Sequence, residues 1–288
     1  MTKTFTPSRP IWCAGCGDFG VLQALVNGLE ELGVPAHERF VVAGIGCSGT
    51  LQNNLSCYGY HALHGRVLPT CTGAKLANPE LTVVGVGGDG DGYAIGGGHL
   101  MHSFKRNPGI TYIVMANGTY GLTKGQASPT APNGWGGNVE EDMDPVMLGL
   151  SIPGSTFIAR AYSGEPAQLL RITTAALDHS RSGKGMSFVE VLSPCVTYND
   201  TYRDWRTMVY DVDEEDGYDP SDRGAAFVRM TELREQGRLP LGLIYQNDHV
   251  ALEKAALSKT VEAPPALQDV GAPFLKDTFQ DALNSFIR

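Results

Sequence analysis

The segment from Leu81 to Thr123 limits what this chain can fold into more than any other. An apolar run (Leu81, Val83, Val84, Val86) ends in glycines and Asp89. A Gly-rich stretch then opens a helix over 101–106, which Pro108-Gly109 stops. A second apolar run, 110–115, finishes in Asn117-Gly118-Thr119. Strand, loop, helix and strand in that order make a parallel βαβ unit. The expected fold class is α/β, a doubly wound and mostly parallel sheet, whose ligands gather beyond the carboxyl ends of its strands.

Asp89 and Asn117 both fall at that edge. A carboxylate, a carboxamide and a nearby backbone carbonyl form a hard oxygen site, suited to Mg²⁺ that completes its shell with phosphate oxygens. The glycines let backbone N–H groups approach such phosphates. The same letters fit a dinucleotide fingerprint, Gly85-x-Gly87-x-x-Gly90, but Asp89 and Asp91 would repel a pyrophosphate with no metal between. The acidic ribose partner is also missing, since the next strand ends in Asn117. A plain turn with Asp89 as helix cap is the simplest alternative. The second oxygen ligand on the neighbouring strand favours metal and diphosphate.

Six cysteines in 288 residues without an apolar leader are not a disulfide framework. Cys13 and Cys16 form a C-x-x-C turn with Gly15 and Gly17, open to zinc, a redox disulfide or an iron–sulfur cluster. Cys47 follows a strand over 39–45, and Cys195 follows Pro194 beyond a strand over 186–192. Cys57 and Cys71 read as small buried residues.

The net charge of −9 argues against nucleic acid or an anionic membrane surface as partner. No apolar run approaches the roughly 20 residues of a membrane span, and the first ten residues lack a signal-peptide core. A cytoplasmic location is expected. The 42% hydrophobic content suffices for one large core.

Other elements follow from periodicity. A helix starts at Asp18 and repeats Phe19, Leu22, Leu25, Val26, Leu29 and Leu32. A short helix begins near Gly73, and residues 118–150 form a long loop rich in Gly, Pro and Asn. After a strand over 157–161, Ser163 caps a helix with Pro166 in its first turn. Residues 1–200 read as one domain. Residues 201–288 read as an extension packing on that domain or on a partner, with Tyr202 to Asp219 lacking clear period. In the extension Ser221 caps a helix, and Leu241, Leu243, Ile244, Tyr245, Phe274 and Phe279 are scattered apolar residues.

Gly88-Asp89-Gly90, one helix, then Asn117-x-Thr119 resembles the thiamine-diphosphate signature. Over residues 11–196 the chain is similar to the thiamine-diphosphate-binding β subunit of 2-oxoacid:ferredoxin oxidoreductases, with His64-Gly65-Arg66 and the string from Tyr120 to Gln126 as further matches. The stretch HGRVLPTCTGAKLANP looks most like 2-oxoglutarate enzymes, with pyruvate or a broad 2-oxoacid range open.

The resemblance implies the thiamine-diphosphate-binding fold and a set of site residues. Asp89, Asn117 and the Thr119 carbonyl would hold Mg²⁺. Gly46, Cys47, Ser48, His64, Gly65, Gly88, Gly90, Gly121, Leu122 and Thr123 would meet the cofactor. Cys13, Cys16, Cys47 and Cys195 would hold one [4Fe–4S] cluster, with zinc as the alternative. His64 would hydrogen-bond the substrate, Asp91 would orient a neighbour or lie solvated, and Arg66, Lys75 or Lys124 would bind a carboxylate.

Coenzyme A would be the co-substrate and ferredoxin the electron acceptor. The glutamate that activates the coenzyme has no candidate here, since Glu30, Glu31 and Glu38 lie away from the strand ends. An α subunit in an α2β2 assembly would supply it. A non-oxidative thiamine lyase with zinc and a non-catalytic electron-transfer module are the competing readings.

Overall fold

In a computed structural model of the chain, the structure describes residues 6–260, 263–268, 280–281 and 283–285. Helix α1 (Asp18–Glu31) leads into β1 (Arg39–Ala43), β2 (Tyr58–His61), α2 (Val67–Ala77), β3 (Thr82–Gly88), α3 (Gly97–Arg106) and β4 (Thr111–Ala116). A small hairpin, β5 (Thr119–Tyr120) and β6 (Gln126–Ala127), precedes α4 (Pro145–Ser151), β7 (Phe157–Tyr162), α5 (Pro166–Arg181) and β8 (Ser187–Leu192). Then come α6 (Tyr202–Met208), β9 (Val209–Asp211), α7 (Arg223–Glu235), β10 (Leu239–Gln246) and α8 (Leu252–Thr260).

Eight strands form one sheet in the order β2-β1-β3-β4-β8-β7-β10-β9. The pairs from β2 to β7 are all parallel, and β10 runs antiparallel to β7. Apolar side chains on both strand faces demand cover on both sides. One core packs the α1 residues Val21, Leu25 and Leu29 with Leu169, Ile172 and Leu177 of α5. The opposite core holds Cys71, Leu100, Phe104, Val146 and Met230 from α2, α3, α4 and α7. Each buried aliphatic side chain contributes roughly 1.5–3 kcal/mol. Truncating Leu29 to Ala would cost about 2–5 kcal/mol.

This topology aligns the carboxyl ends of β1, β3, β4 and β8. The start of α1 is pinned against the last of them, since the Gly17 N–H donates to the Pro194 carbonyl at 3.1 Å. A Cβ at Gly17 would lie 2.5 Å from Ser193 Oγ, so only glycine fits.

Several elements differ from the sequence expectations. β2 carries no strand signal, because all four of its residues are exposed at a sheet edge and show no alternation. α2 starts at Val67, not near Gly73, and α3 at Gly97, after one turn of π-helix over 90–95. The loop 118–150 contains the β5–β6 hairpin and α4, whose first N–H groups are accepted by Asp144 Oδ1. Ser163 does not cap α5, which starts at Pro166 without a side-chain cap. Asp222, not Ser221, caps α7 by accepting the Ala225 N–H at 2.9 Å. Residues 202–208 are helical, and Leu241 to Tyr245 form a strand inside the main sheet. The segment after residue 200 therefore contributes two strands to that sheet. Phe274 and Phe279 lie outside the described residues.

Candidate active site

A cavity of about 290 Å³ opens where β1, β3 and β4 end. Its walls include Gly46, Cys47 and Ser48 after β1, and Gly88, Asp89, Gly90 and Asp91 after β3. Asn117, Thr119, Gly121, Leu122 and Thr123 come from beyond β4, and His64 from the loop before α2. Asp18, Ile45, Met115 and Tyr120 complete it; sequence reasoning did not assign these four to the site.

Asp89 is the most constrained of these residues. Its Oδ1 accepts the Gly90 N–H at 2.8 Å. Its Oδ2 accepts from the Gly118 N–H at 2.9 Å and from the Ser128 and Thr130 hydroxyls, both at 2.6 Å. Burial pushes its carboxyl above the ordinary value in spite of these donors. No lysine, arginine or histidine pairs with it among the described residues. A buried carboxylate with no protein cation beside it suits a metal ion, because isolated charge is costly in a low-dielectric interior. The Asn117 carboxamide lies beside it, and Asn117 Oδ1 accepts the Thr119 N–H at 2.9 Å. Gly90 leaves the floor bare, since a Cβ there would lie 2.0 Å from the Tyr120 ring. A hard cation and a diphosphate fit this donor set.

Asp91 is buried, against the solvated alternative, and ties three loops together. Its Oδ1 accepts the Gly65 N–H at 2.8 Å and the Ile45 N–H at 3.1 Å, and lies 2.8 Å from His64 Nδ1. An Nδ1–H donated to a carboxylate leaves Nε2 as the free ring nitrogen. Gly65, with φ +70°, does not line the cavity and acts through this loop. Asp18 accepts from Ser193 Oγ at 2.7 Å, and burial pushes its carboxyl to about 6.

The cysteines divide in two. Cys57 and Cys71 sit in the hydrophobic cores, and burial pushes both thiols up. Cys13, Cys16, Cys47 and Cys195 come together at the cavity rim. A Cβ at Gly121 would lie 3.5 Å from Cys195 Sγ and 3.8 Å from Cys47 Sγ. Burial pushes Cys16 to about 12 and Cys47 to about 11, with Asp18 and the neighbouring cysteines adding to the shift. Thr197 Oγ1 donates to Cys13 Sγ at 3.2 Å, and Trp12 Nε1 donates to the Cys47 carbonyl at 2.8 Å. Among the described residues, no three His, Cys, Asp or Glu side chains close to the reach of one ion. Four cysteines gathered at one rim suit a thiolate-bound metal centre, an iron–sulfur cluster or zinc.

The expected carboxylate-binding cations are elsewhere. Lys75 is buried and donates to the Pro79 and Leu81 carbonyls at 2.8 and 2.7 Å. Arg66 turns away to His99, and Lys124 sits in the β5–β6 turn with φ +79°. Among the described residues, no lysine, arginine or glutamate lines the cavity. Glu30 and Glu31 lie on the exposed side of α1, and Glu38 precedes the amino end of β1.

Comparison with known proteins decides the family. Residues 44–191 match the model for the thiamine pyrophosphate enzyme C-terminal TPP binding domain. Residues 195–260 match the C-terminal model of the pyruvate ferredoxin oxidoreductase β subunit. The β subunit of 2-oxoacid:ferredoxin oxidoreductase 2 from Aeropyrum pernix is 40% identical over 94% of each chain. This chain belongs to the 2-oxoacid:ferredoxin oxidoreductase β subunits.

The 2-oxoglutarate oxidoreductase subunit KorB of Mycobacterium tuberculosis is 38% identical over 69% of this β subunit and 54% of its own length. In structure, the chain superposes on a 2-oxoglutarate:ferredoxin oxidoreductase from Magnetococcus marinus at TM-score 0.81. That match has 32% identity and covers 97% of this chain and 94% of the other. The protein is therefore an enzyme subunit with the mostly parallel sheet expected of its family.

Proposed function

We propose that the reaction centre of a CoA-dependent 2-oxoglutarate:ferredoxin oxidoreductase lies on this β subunit. It would hold thiamine diphosphate, Mg²⁺ and one [4Fe–4S] cluster, in an α2β2 enzyme of the cytoplasm. Among the described residues no helix is long and apolar enough to cross a membrane. The observation that carries the reading is the double membership of Cys47, which belongs both to the cavity wall and to the sulfur group at its rim.

Asp89, Asn117 and the Thr119 carbonyl would hold Mg²⁺, and Gly88, Gly90, Gly121 and Leu122 would meet the diphosphate. Cys13, Cys16, Cys47 and Cys195 would ligate the cluster. Thiamine diphosphate supplies the nucleophilic carbon and electron sink that decarboxylate a 2-oxoacid, and the cluster accepts electrons singly for ferredoxin. His64, held by Asp91, directs Nε2 to the substrate oxygen. Met115, Tyr120 and Ile45 exclude water from the reacting end.

The α subunit supplies what the walls lack. Among the described residues the cavity has no glutamate, lysine or arginine, so both the activating carboxylate and the cation for a distal substrate carboxylate would come from the partner. Support for 2-oxoglutarate comes from the names of the KorB relatives and of the Magnetococcus structure. The test is anaerobic co-purification with the α subunit and a 2-oxoacid panel, reading ferredoxin reduction. CoA-dependent turnover highest with 2-oxoglutarate is expected. Turnover by the β chain alone, or a preference for pyruvate, would contradict the assignment.

A further inference from the structure

The strands β4 and β8 separate just where the two proposed centres begin. They pair as far as Ala116 and Leu192, and the Ser193 N–H still reaches the Ala116 carbonyl at 2.8 Å. From there one chain segment turns into the 117–119 loop and the other runs to Cys195. Asn199 rejoins them. Its N–H donates to the Cys195 carbonyl at 2.8 Å, closing a tight turn, and its side-chain Nδ2 donates to the Asn117 carbonyl at 2.8 Å. The end of the carboxamide that faces Asn117 must be its nitrogen, because a backbone carbonyl only accepts.

That bond falls on a peptide group with a second task. The Asn117 carbonyl belongs to the Asn117-Gly118 peptide, whose N–H donates to Asp89 Oδ2 at 2.9 Å. A peptide is planar, so a donor that holds its oxygen also sets the direction of its N–H. Polarisation along the chain of bonds strengthens each of them. Gly118 has φ +70°, and a Cβ there would lie 2.9 Å from Asn199 Nδ2, so a side chain at this position would displace the link. The path is continuous from the Cys195 carbonyl, through Asn199 and the Asn117-Gly118 peptide, to the Asp89 carboxylate. Asn199 itself lines a separate cavity of about 540 Å³, so it acts through this peptide and not on a bound group.

We infer that Asn199 is a positioning residue that couples occupation of the cysteine site to binding at the Asp89 site. The inference rests on the reading of both sites proposed above. Filling the cysteine site fixes the 195–199 turn, the turn fixes the Asn199 carboxamide, and the carboxamide fixes the peptide that orients Asp89. Thiamine diphosphate with Mg²⁺ therefore binds more tightly when the cluster is in place, and Asn199 carries most of that difference.

The test is calorimetric titration of thiamine diphosphate with Mg²⁺ into the complex with the α subunit, purified anaerobically, before and after chelation of its iron. Wild type should lose about tenfold in affinity when the iron is removed, an ordinary size for coupling between sites. Asn199→Leu, similar in size but without a donor, should bind about tenfold more weakly from the start, as on losing a bond that orients a metal ligand. Iron removal should then change its affinity by less than about threefold, since the link is already cut. Iron per β chain and the denaturation midpoint should match wild type, which separates positioning from a structural role. Asn199→Asp keeps the shape and, ionised, offers no donor; it gives the same reading should the leucine variant not fold.

A wild-type affinity indifferent to iron, or a variant that keeps the wild-type dependence, would overturn the proposal. So would loss of iron and stability in step with affinity, which would make Asn199 a fold contact only. A wild-type complex that fails to bind either thiamine diphosphate or iron would remove the underlying reading, and the proposal with it.

Discussion

Two buried acid clusters share the sheet, and they are built on opposite principles. On the paired strands β7 and β8, Arg160 bonds Glu190 at 2.6 Å and reaches Asp144, the α4 cap, at 2.9 Å, beside a cavity of about 540 Å³. Burial works against both carboxylates. Arg160, the first N–H groups of α4 and Arg234 nevertheless bring Asp144 below its ordinary value, while burial leaves Glu190 above its own in spite of the short Arg160 contact. At the cavity by β3, Asp18, Asp89 and Asp91 are as deeply buried, yet no lysine or arginine reaches them among the described residues. The first cluster is finished by the fold. The second has backbone and hydroxyl donors and the His64 ring, but no lysine or arginine among the described residues to offset its charge.

This contrast makes separable predictions. The largest effect belongs to Asp89→Asn. Affinity for Mg²⁺ and thiamine diphosphate should fall by more than the roughly 10–100-fold typical of residues that only support a metal ligand. The apo chain's stability should move by no more than about 1–2 kcal/mol, because relief of the lone charge offsets weaker hydrogen bonds. Calorimetric titration and chemical denaturation read the two quantities.

Arg160→Met should do the reverse. It strands Glu190 and Asp144 and should cost about 3–5 kcal/mol of unfolding free energy. Cofactor affinity, measured below the melting transition, should stay within about threefold. A variant that lost cofactor binding and stability in equal proportion would erase the distinction between the clusters.

His179 gives a smaller effect, again on the structural side. It is buried at the end of α5, with Nε2 3.2 Å from Thr156 Oγ1. Burial, then Lys184, lowers its imidazole to about 4. Between about 4 and the ordinary value of 6.5 the unfolded chain binds more protons, so stability falls as pH drops through that window. The expected loss is roughly 3 kcal/mol. His179→Gln should flatten this part of the stability–pH curve, and denaturation at pH 7 and pH 4.5 checks it.

Legibility in the sequence follows burial and regularity. The βαβ unit is readable because Val83, Val84, Val86 and residues 110–115 form fully buried runs with glycine and proline punctuation. The edge strand 58–61 offers no such run, and β10 hides behind Pro240 and Gly242, which β-propensity disfavours. The Asp144-Pro145 pair is an unread signal for α4, a capping acid followed by proline at the first helical position. In the site, Asp89 and Asn117 are findable from spacing. Asp18 is not, because a carboxylate at the head of an amphipathic helix reads as a solvated cap until tertiary packing seals it against Ser193. Lys75 shows the same limit from the other side, a cation whose burial against two carbonyls no spacing reveals.

The most direct measurement replaces Mg²⁺ with Mn²⁺ in the anaerobic, cluster-loaded enzyme and records the manganese EPR signal as the cluster is reduced. On the proposed reading a metal ion on Asp89 and a cluster on Cys47 and its three companions would flank one cavity wall, so the manganese signal should broaden and relax faster on reduction. That response should vanish in Cys47→Ser. A manganese signal indifferent to the redox state of a cluster shown to be present would contradict a shared reaction centre.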